Sequence, residues 1–326
     1  MAVALESLFV APERTAVGAP TLTATQTEHL AALQAHFGKD GFDLAISEDI
    51  DETKRARLSE REMMFLECFL RFLSATKGNL EAATQRLEKA IIWRRTSRME
   101  EVDALDKENI AENFVLGFSP TGLPVIYFFP NRNTLALEDR SIFHTMFILE
   151  RAIDLMTNGV TNVLLIFNFQ GKRKGPPTSP SAARDTIHIL GEYYPELLGC
   201  AIMQDMPWYI RAFVAVFWPF VDPHTKSKVK FHTGAQAVAA GEIAGDVLLR
   251  ETGGELDLPY DFDTFWPAFM ERCRACRAEH ERRWRALGEP QVGREERLWK
   301  LPPGKEAVVD GMVAITEPTT TPDITA

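Results

Sequence analysis

Residues 193–234 read YYPELLGCAIMQDMPWYIRAFVAVFWPFVDPHTKSKVKFHTG. At the centre, Pro207 to Phe217 has the composition of a short helix, and Arg211 is its one charge. Trp208, Ile210, Phe213, Val214, Val216 and Phe217 do not share one stripe at helical spacing, so no single core takes them all. The run is half the roughly twenty residues that a bilayer span requires. Such a helix is either deeply buried or faces something apolar that is not protein: a lipid beneath it or a membrane outside it. Its flanks are polar in an ordered way, Tyr-Pro-Glu before it and Asp-Pro-His-Thr-Lys-Ser-Lys after it.

Outward from this stretch, the pattern predicts a helix over Ser181–Tyr193 and strands over Leu198–Met203 and Lys228–His232. Upstream, NVLLIFNF (162–169) is a β-rich apolar run, predicted to be a central strand buried on both faces. LEDRSIFHTMFILERAIDLMTNG (137–159) predicts a long helix stopped near Asn158-Gly159. PVIYFFP (124–130) predicts a short buried strand closed by Pro130. Strands alternating with helices at this spacing point to an α/β fold with a mostly parallel sheet.

The N-terminal third is helical instead. Ser59 with Glu62 forms a capping-box pattern, followed by Met63, Leu66, Leu70 and Leu73 on one face. Asn79 caps a helix over Leu80–Arg95 with the stripe Leu80, Ala83, Leu87, Ala90 and Ile91. Arg94, Arg95 and Arg98 sit near its C-terminal end, where cations suit the helix dipole. A further short helix is expected over Thr27–Phe37. Residues 1–25 read as a loose extension, and KDGFDLAISEDIDE (39–52) as a linker. After Gly253-Gly254, residues 261–287 predict a long basic helix, which faces either a membrane or this acidic protein's own surface. From Glu289 on, Pro, Thr and Gly predict a flexible tail. The resulting division is an extension (1–57), a helical domain (58–105), an α/β lobe (106–258), a basic helix (259–288) and a tail (289–326).

Composition narrows the function. The chain has 326 residues, 45% of them apolar, enough for a full core. Its net charge of −10 argues against nucleic acid as a partner. Cys68, Cys200, Cys273 and Cys276 are too few for a disulfide scaffold and read as reduced thiols in the cytoplasm; a monomer is expected. Cys273 and Cys276 lack a second CxxC or spaced histidines, which argues against a metal site. No GxSxG, Walker loop, GxGxxG or HExxH pattern is present, so no catalytic role and no cofactor is expected.

Several blocks together resemble the CRAL-TRIO (Sec fourteen-like) lipid-binding and lipid-transfer family. FLRFLSATKGNLEAATQRLEKAIIWRR (69–95) resembles the family's small N-terminal helical domain. YYPELLG, PFVDPHTKSKV and Gly253-Gly254 resemble its lipid-binding lobe, in matching order over roughly 58–287. The resemblance implies an α/β/α lobe whose sheet floors an apolar pocket, closed by a mobile helix that falls on 207–218. It implies that Glu196, Thr225 and Lys228 surround a phosphatidylinositol-type headgroup, with Lys228 near the phosphate. Trp208, Ile210, Phe213, Val214 and Phe217 would form the gate, and Val163, Leu165 and Phe167 the pocket wall. The implied function is to carry one lipid and exchange it during transient membrane contact.

Three positions depart from the family pattern. Thr76, with Lys77 beside it, stands where phosphatidylinositol-binding members carry an arginine. Val163 and Leu165 replace the polar pair that recognises phosphatidylcholine. The central strand ends Asn168-Phe169-Gln170-Gly171 rather than with charges. Other cargoes (sterol, tocopherol, retinoid, squalene) and a non-transferring scaffold therefore stay open, and Glu196 and Lys228 also fit a plain structural salt bridge.

Overall fold

The computed structural model describes residues 5–13, 17–18, 20–48, 54–97, 113–132, 143–176, 180–221, 223–288, 292–301, 308–309 and 312–313. The side chains of 143, 180–183, 213, 217, 220, 308–309 and 312–313 are not described. The expectations for Arg98 and for the first part of the 137–159 helix concern residues outside this set.

The N-terminal part begins with α1 (Ala24–Phe37), whose capping box joins Thr23 and Gln26. Two short strands follow, β1 (Asp43–Ala45) and β2 (Arg55–Arg57), paired antiparallel where a linker was expected. Arg95 holds this hairpin, donating to the carbonyls of Leu44 and Ala45 at 2.8 and 3.0 Å and to Glu62 at 2.6 Å. Ser59 and Glu62 form the expected capping box at the start of α2 (Glu60–Phe65). A 3-10 turn leads to α3 (Phe69–Ala75) and then α4 (Leu80–Thr96), capped by Asn79 as the sequence predicts. Leu33, Phe37, Phe69, Phe72, Leu87 and Ile91 close around one another as the core of this domain.

The lobe is a five-stranded sheet in the order β3 (Asn113–Phe118), β4 (Pro124–Phe128), β5 (Val163–Asn168), β6 (Leu198–Gln204), β7 (Val229–Lys230). Only the β3–β4 pair is antiparallel. The crossovers carry α5 (Phe143–Asp154), α6 (Pro180–Tyr193), then α7 (Trp208–Phe217) with α8 (Pro223–Lys228). After α9 (Gly234–Ala239), α10 (Phe262–Ala286) packs on α5 and on the first turn of the chain.

Five expectations change. β5 is central, but its two faces differ: Leu164 and Ile166 are fully buried, whereas Leu165 and Phe167 are only half-buried. α5 ends at Asp154 rather than near Asn158-Gly159. Those two residues form a left-handed turn (φ 57° and 72°), and the Asn158 carbonyl and the Gly159 N–H bond instead to Val17 and Lys300 at 2.7 Å. The N-terminal extension is not wholly loose: Leu5–Phe9 is a 3-10 turn that buries Phe9 against Phe265 and Phe269. Part of the tail is also packed, since Val292, Trp299 and Lys300 are buried. The last strand is shorter than expected, because the turn of α8 takes up Lys228.

The basic face of α10 turns to the protein's own carboxylates. Arg277 pairs with Asp154 at 2.7 Å, Arg283 with Glu279 at 2.8 Å and Arg285 with Glu60 at 2.8 Å. Of the two readings of that face, the structure shows self-pairing.

Candidate functional site

The Tyr-Tyr-Pro-Glu segment joins the helical domain to the sheet. Tyr193 closes α6 and stacks on Trp93 of α4, with ring centroids 4.4 Å apart and planes 12° from parallel. The Tyr194 hydroxyl donates to Glu150 at 2.8 Å, and Arg94 donates to the same carboxylate at 2.6 Å. Burial works to raise the Glu150 pKa, but the Arg94 charge and these hydrogen bonds outweigh it and hold the carboxyl near 2. Pro195 then stiffens the chain before Glu196. Glu196 itself has φ 59°, a left-handed conformation that costs a residue with a Cβ about 1–2 kcal/mol. The Asn162 side-chain amide donates to the Glu196 carbonyl at 2.6 Å and helps fix that strained turn.

The second half of the site comes from α8. Lys228 reaches the Glu196 carboxylate at 3.2 Å, and His224 Nε2 lies 3.3 Å from the same oxygen. Thr225 is on the same short helix and is half-buried. Segments 32 positions apart thus meet at one rim of the sheet. The carboxylate and the ammonium are both partly accessible, 28% and 17% exposed. This pair holds charge at fixed places while leaving faces open to a polar group from outside.

Beside that rim lies the half-buried face of the sheet. Pairing in register puts Ile126, Leu165 and Ala201 in one row, and Phe128, Phe167 and Met203 in the next. Phe128 and Phe167 stack at 4.6 Å. Val163, the third wall residue, is buried on the same face of β5. α7 follows β6 directly. Trp208, Tyr209 and Val216 are exposed on it, Trp208 to 79%, while Ile210 and Val214 are half-buried. Arg211 donates back to the Met206 carbonyl at 2.9 Å. Phe213 and Phe217 lie on α7, with side chains outside the described set.

Asn168, at the end of β5, donates to Gln204 at 3.0 Å, and Gln204 donates to the Thr252 carbonyl at 3.2 Å. This buried amide chain ties the strand ends to the Gly253-Gly254 turn, where Gly253 has φ 91°. A Cβ on Gly254 would run into the Leu248 carbonyl, so only glycine fits there. Thr76 turns its hydroxyl to the carbonyls of Phe72 and Leu73 at the end of α3, and Lys77 beside it is exposed at φ 54°.

The structure therefore brings Glu196 and Lys228 together, and Thr225 lies on the same short helix as Lys228. His224, Asn162 and Trp93 were not singled out in the sequence. His224 carried a signal, since it lies one helical turn before Lys228. Asn162 and Trp93 carried none, because their partners are distant in sequence.

Comparison with known proteins matches these same segments. A model of the CRAL/TRIO domain covers residues 112–254, and a model of the CRAL/TRIO N-terminal domain covers residues 29–89. This chain belongs to the CRAL-TRIO family. A CRAL-TRIO domain-containing protein of Schizosaccharomyces pombe is 32% identical over 79% of this chain, which spans only 25% of that protein. A phosphatidylinositol transfer protein of Saccharomyces cerevisiae is 28% identical over 82% of each chain. Among solved structures, that of Sfh5 shares 14% identity and a TM-score of 0.49, covering 68% of this chain and 85% of its own. CRAL-TRIO proteins bind phospholipids or other hydrophobic ligands, and the family is one of lipid carriers rather than enzymes. Among the described residues of this CRAL-TRIO chain, no helix is long and apolar enough to cross a membrane.

Proposed function

We propose that this CRAL-TRIO protein holds one phospholipid with a phosphatidylinositol-type headgroup and carries it between membranes. The observation that carries this reading is the meeting of Glu196 and Lys228 at 3.2 Å, partly open, at the edge of a half-buried apolar sheet face. A phospholipid leaving a bilayer exposes on the order of thirty methylenes at about 0.8 kcal/mol each, so a carrier must replace nearly all of that apolar contact. Leu165, Phe167, Phe128 and Met203 on that face offer such contact. The headgroup needs the opposite: a cation for phosphate and fixed acceptors for hydroxyls. Lys228 is the cation, with Glu196 and Thr225 beside it as hydroxyl partners. Binding exchanges the Lys228–Glu196 contact for contacts to the lipid. The similarity to a phosphatidylinositol transfer protein over most of both chains supports the same assignment.

In this reading, α7 is the gate. Its outward Trp208, Tyr209 and Val216 meet the bilayer when the protein docks, and its half-buried Ile210 and Val214 meet the acyl chains. The protein works as a monomeric cytoplasmic carrier, visiting membranes transiently and catalysing no reaction. Native mass spectrometry of the purified chain tests the cargo. A bound inositol phospholipid is expected, and a chain that neither co-purifies with nor takes up any lipid would sink the proposal. Lys228→Glu should abolish phosphatidylinositol transfer with folding intact; unchanged transfer would show the headgroup assignment to be wrong.

One observation favours a second cargo class. Val163 and Leu165 make that part of the sheet face wholly apolar. A sterol or another apolar ligand would suit it without any headgroup. Competition between phosphatidylinositol and cholesterol for uptake separates the two.

A further inference from the structure

The helical domain and the headgroup rim are joined more tightly than packing alone requires. Helix α4 turns Ala83, Leu87, Ala90 and Ile91 into its own domain's core. On a neighbouring face, one heptad apart, Arg86 and Trp93 point to the end of α6. Arg86 is 17% exposed; its Nε donates to the Glu192 carbonyl at 3.0 Å, and a second guanidinium nitrogen donates to the Gly191 carbonyl. These are last-turn acceptors that have no partner within α6 itself. Trp93 stacks on Tyr193 and meets Tyr194 edge-on at 6.0 Å. Four successive residues, 191–194, are thus tied to α4. Pro195 is rigid, and Glu196 follows at once with its carbonyl held from the lobe side by Asn162.

We propose that Arg86 and Trp93, acting from the N-terminal helical domain, are positioning residues that set where the Glu196 carboxylate stands in the headgroup site. The inference rests on reading Glu196 as a headgroup contact. Few soft dihedrals separate α4 from Glu196, and the Glu196 turn is a strained one that its surroundings must hold. A shift of α4 against the lobe therefore moves that carboxylate relative to Lys228. The helical domain is then part of lipid selection and not only a stabilising appendage.

The test uses the full chain and two ligands offered in phosphatidylcholine vesicles: phosphatidylinositol, and diacylglycerol, which has the same apolar body without the headgroup. Arg86→Met should lower phosphatidylinositol uptake about tenfold, as expected for residues coupled through a backbone shift, and leave diacylglycerol uptake unchanged. Glu196→Gln should lower phosphatidylinositol uptake too, and adding Arg86→Met to it should cost nothing more. Tyr193→Phe keeps the stack on Trp93 and should match the parent, whereas Tyr193→Ala should behave as Arg86→Met does. That pair carries the same test if Arg86→Met fails to fold. Equal losses for both lipids, or a full further loss in the Glu196→Gln background, would overturn the positioning role and leave the headgroup reading standing. Full uptake by Glu196→Gln alone would instead remove the headgroup reading, and this inference with it.

Discussion

Two clusters of charge in this molecule are built from the same residue types and behave oppositely. At the rim, Glu196 meets Lys228 and His224, and all three side chains keep contact with solvent. Behind the lobe, the packed tail carries Glu296 and Lys300, which pair at 2.5 Å with side chains 6% and 2% exposed. Arg71 from α3 joins Glu296 at 3.0 Å. Glu67, almost fully buried, accepts from the Arg294 N–H at 3.1 Å. The difference lies in what surrounds the charges. A dry pair with several partners is fixed, because breaking it strands a charge away from water. A pair at a wet rim is held by little and exchanges partners readily. The first arrangement clamps the tail to the helical domain; the second is fit for a ligand.

Removing one charge should separate the clusters most sharply. Lys300→Ala is expected to cost about 3–5 kcal/mol, since it leaves Glu296 with one partner fewer in a dry site. Lys228→Ala should cost less than about 1 kcal/mol. Urea unfolding measures both, and equal losses would erase the distinction.

The pH dependence of stability comes next in size. Burial is the largest influence on Glu67 and pushes its carboxyl up to about 7, against the opposing pull of Trp284 and Arg294. Between pH 4.5 and 7 the folded state therefore binds a proton that the unfolded state has released. Stability contributed by that proton is full below about 4.5 and is lost as pH rises through about 7, a change of about 3 kcal/mol. Glu67→Gln should flatten that part of the stability curve; an unchanged slope would assign it to other groups. Glu150 has the opposite sign, since its carboxyl is depressed, and its contribution is lost only as pH falls towards 2.

Salt offers a smaller contrast. Raising ionic strength from 0.1 to 1 M shortens the screening length from about 10 to 3 Å. It should weaken phosphatidylinositol uptake through the rim while moving the unfolding midpoint of the tail clamp little. The smallest stability effect is expected at Trp208, which is 79% exposed. Trp208→Ala should change stability by no more than about 0.5 kcal/mol, yet reduce binding to vesicles. Intact vesicle binding would take α7 out of the membrane contact.

Much of the local order was legible in the sequence because its causes are local. The capping boxes at Thr23, Ser59 and Thr233 are each written within four residues. The capping pattern at Ser59 and the Asn79 cap were read directly, and the β-rich run 162–169 declared a central strand. The candidate site was legible in part: Glu196, Thr225 and Lys228 came from a resemblance in motif and spacing, and of these the structure pairs Glu196 with Lys228. The packed tail was not legible. Arg-Glu-Glu-Arg at 294–297 has the composition of a solvated segment, and only the distant carbonyls, tryptophans and helix ends that receive it make it an interior one.

The sequence by itself determined the alternation of helices and strands, the mostly parallel α/β order, the caps at Ser59 and Asn79, and an apolar helix that no single core accommodates. Those features rest on side-chain period, caps and turn residues, which act over a few positions. Tertiary structure alone decided that one face of β5 is left half-open, that Trp93 meets Tyr193, and that one set of ion pairs is dry and the other wet. Burial, stacking and the strength of a charge pair depend on residues far apart in the chain, and only folding brings these together.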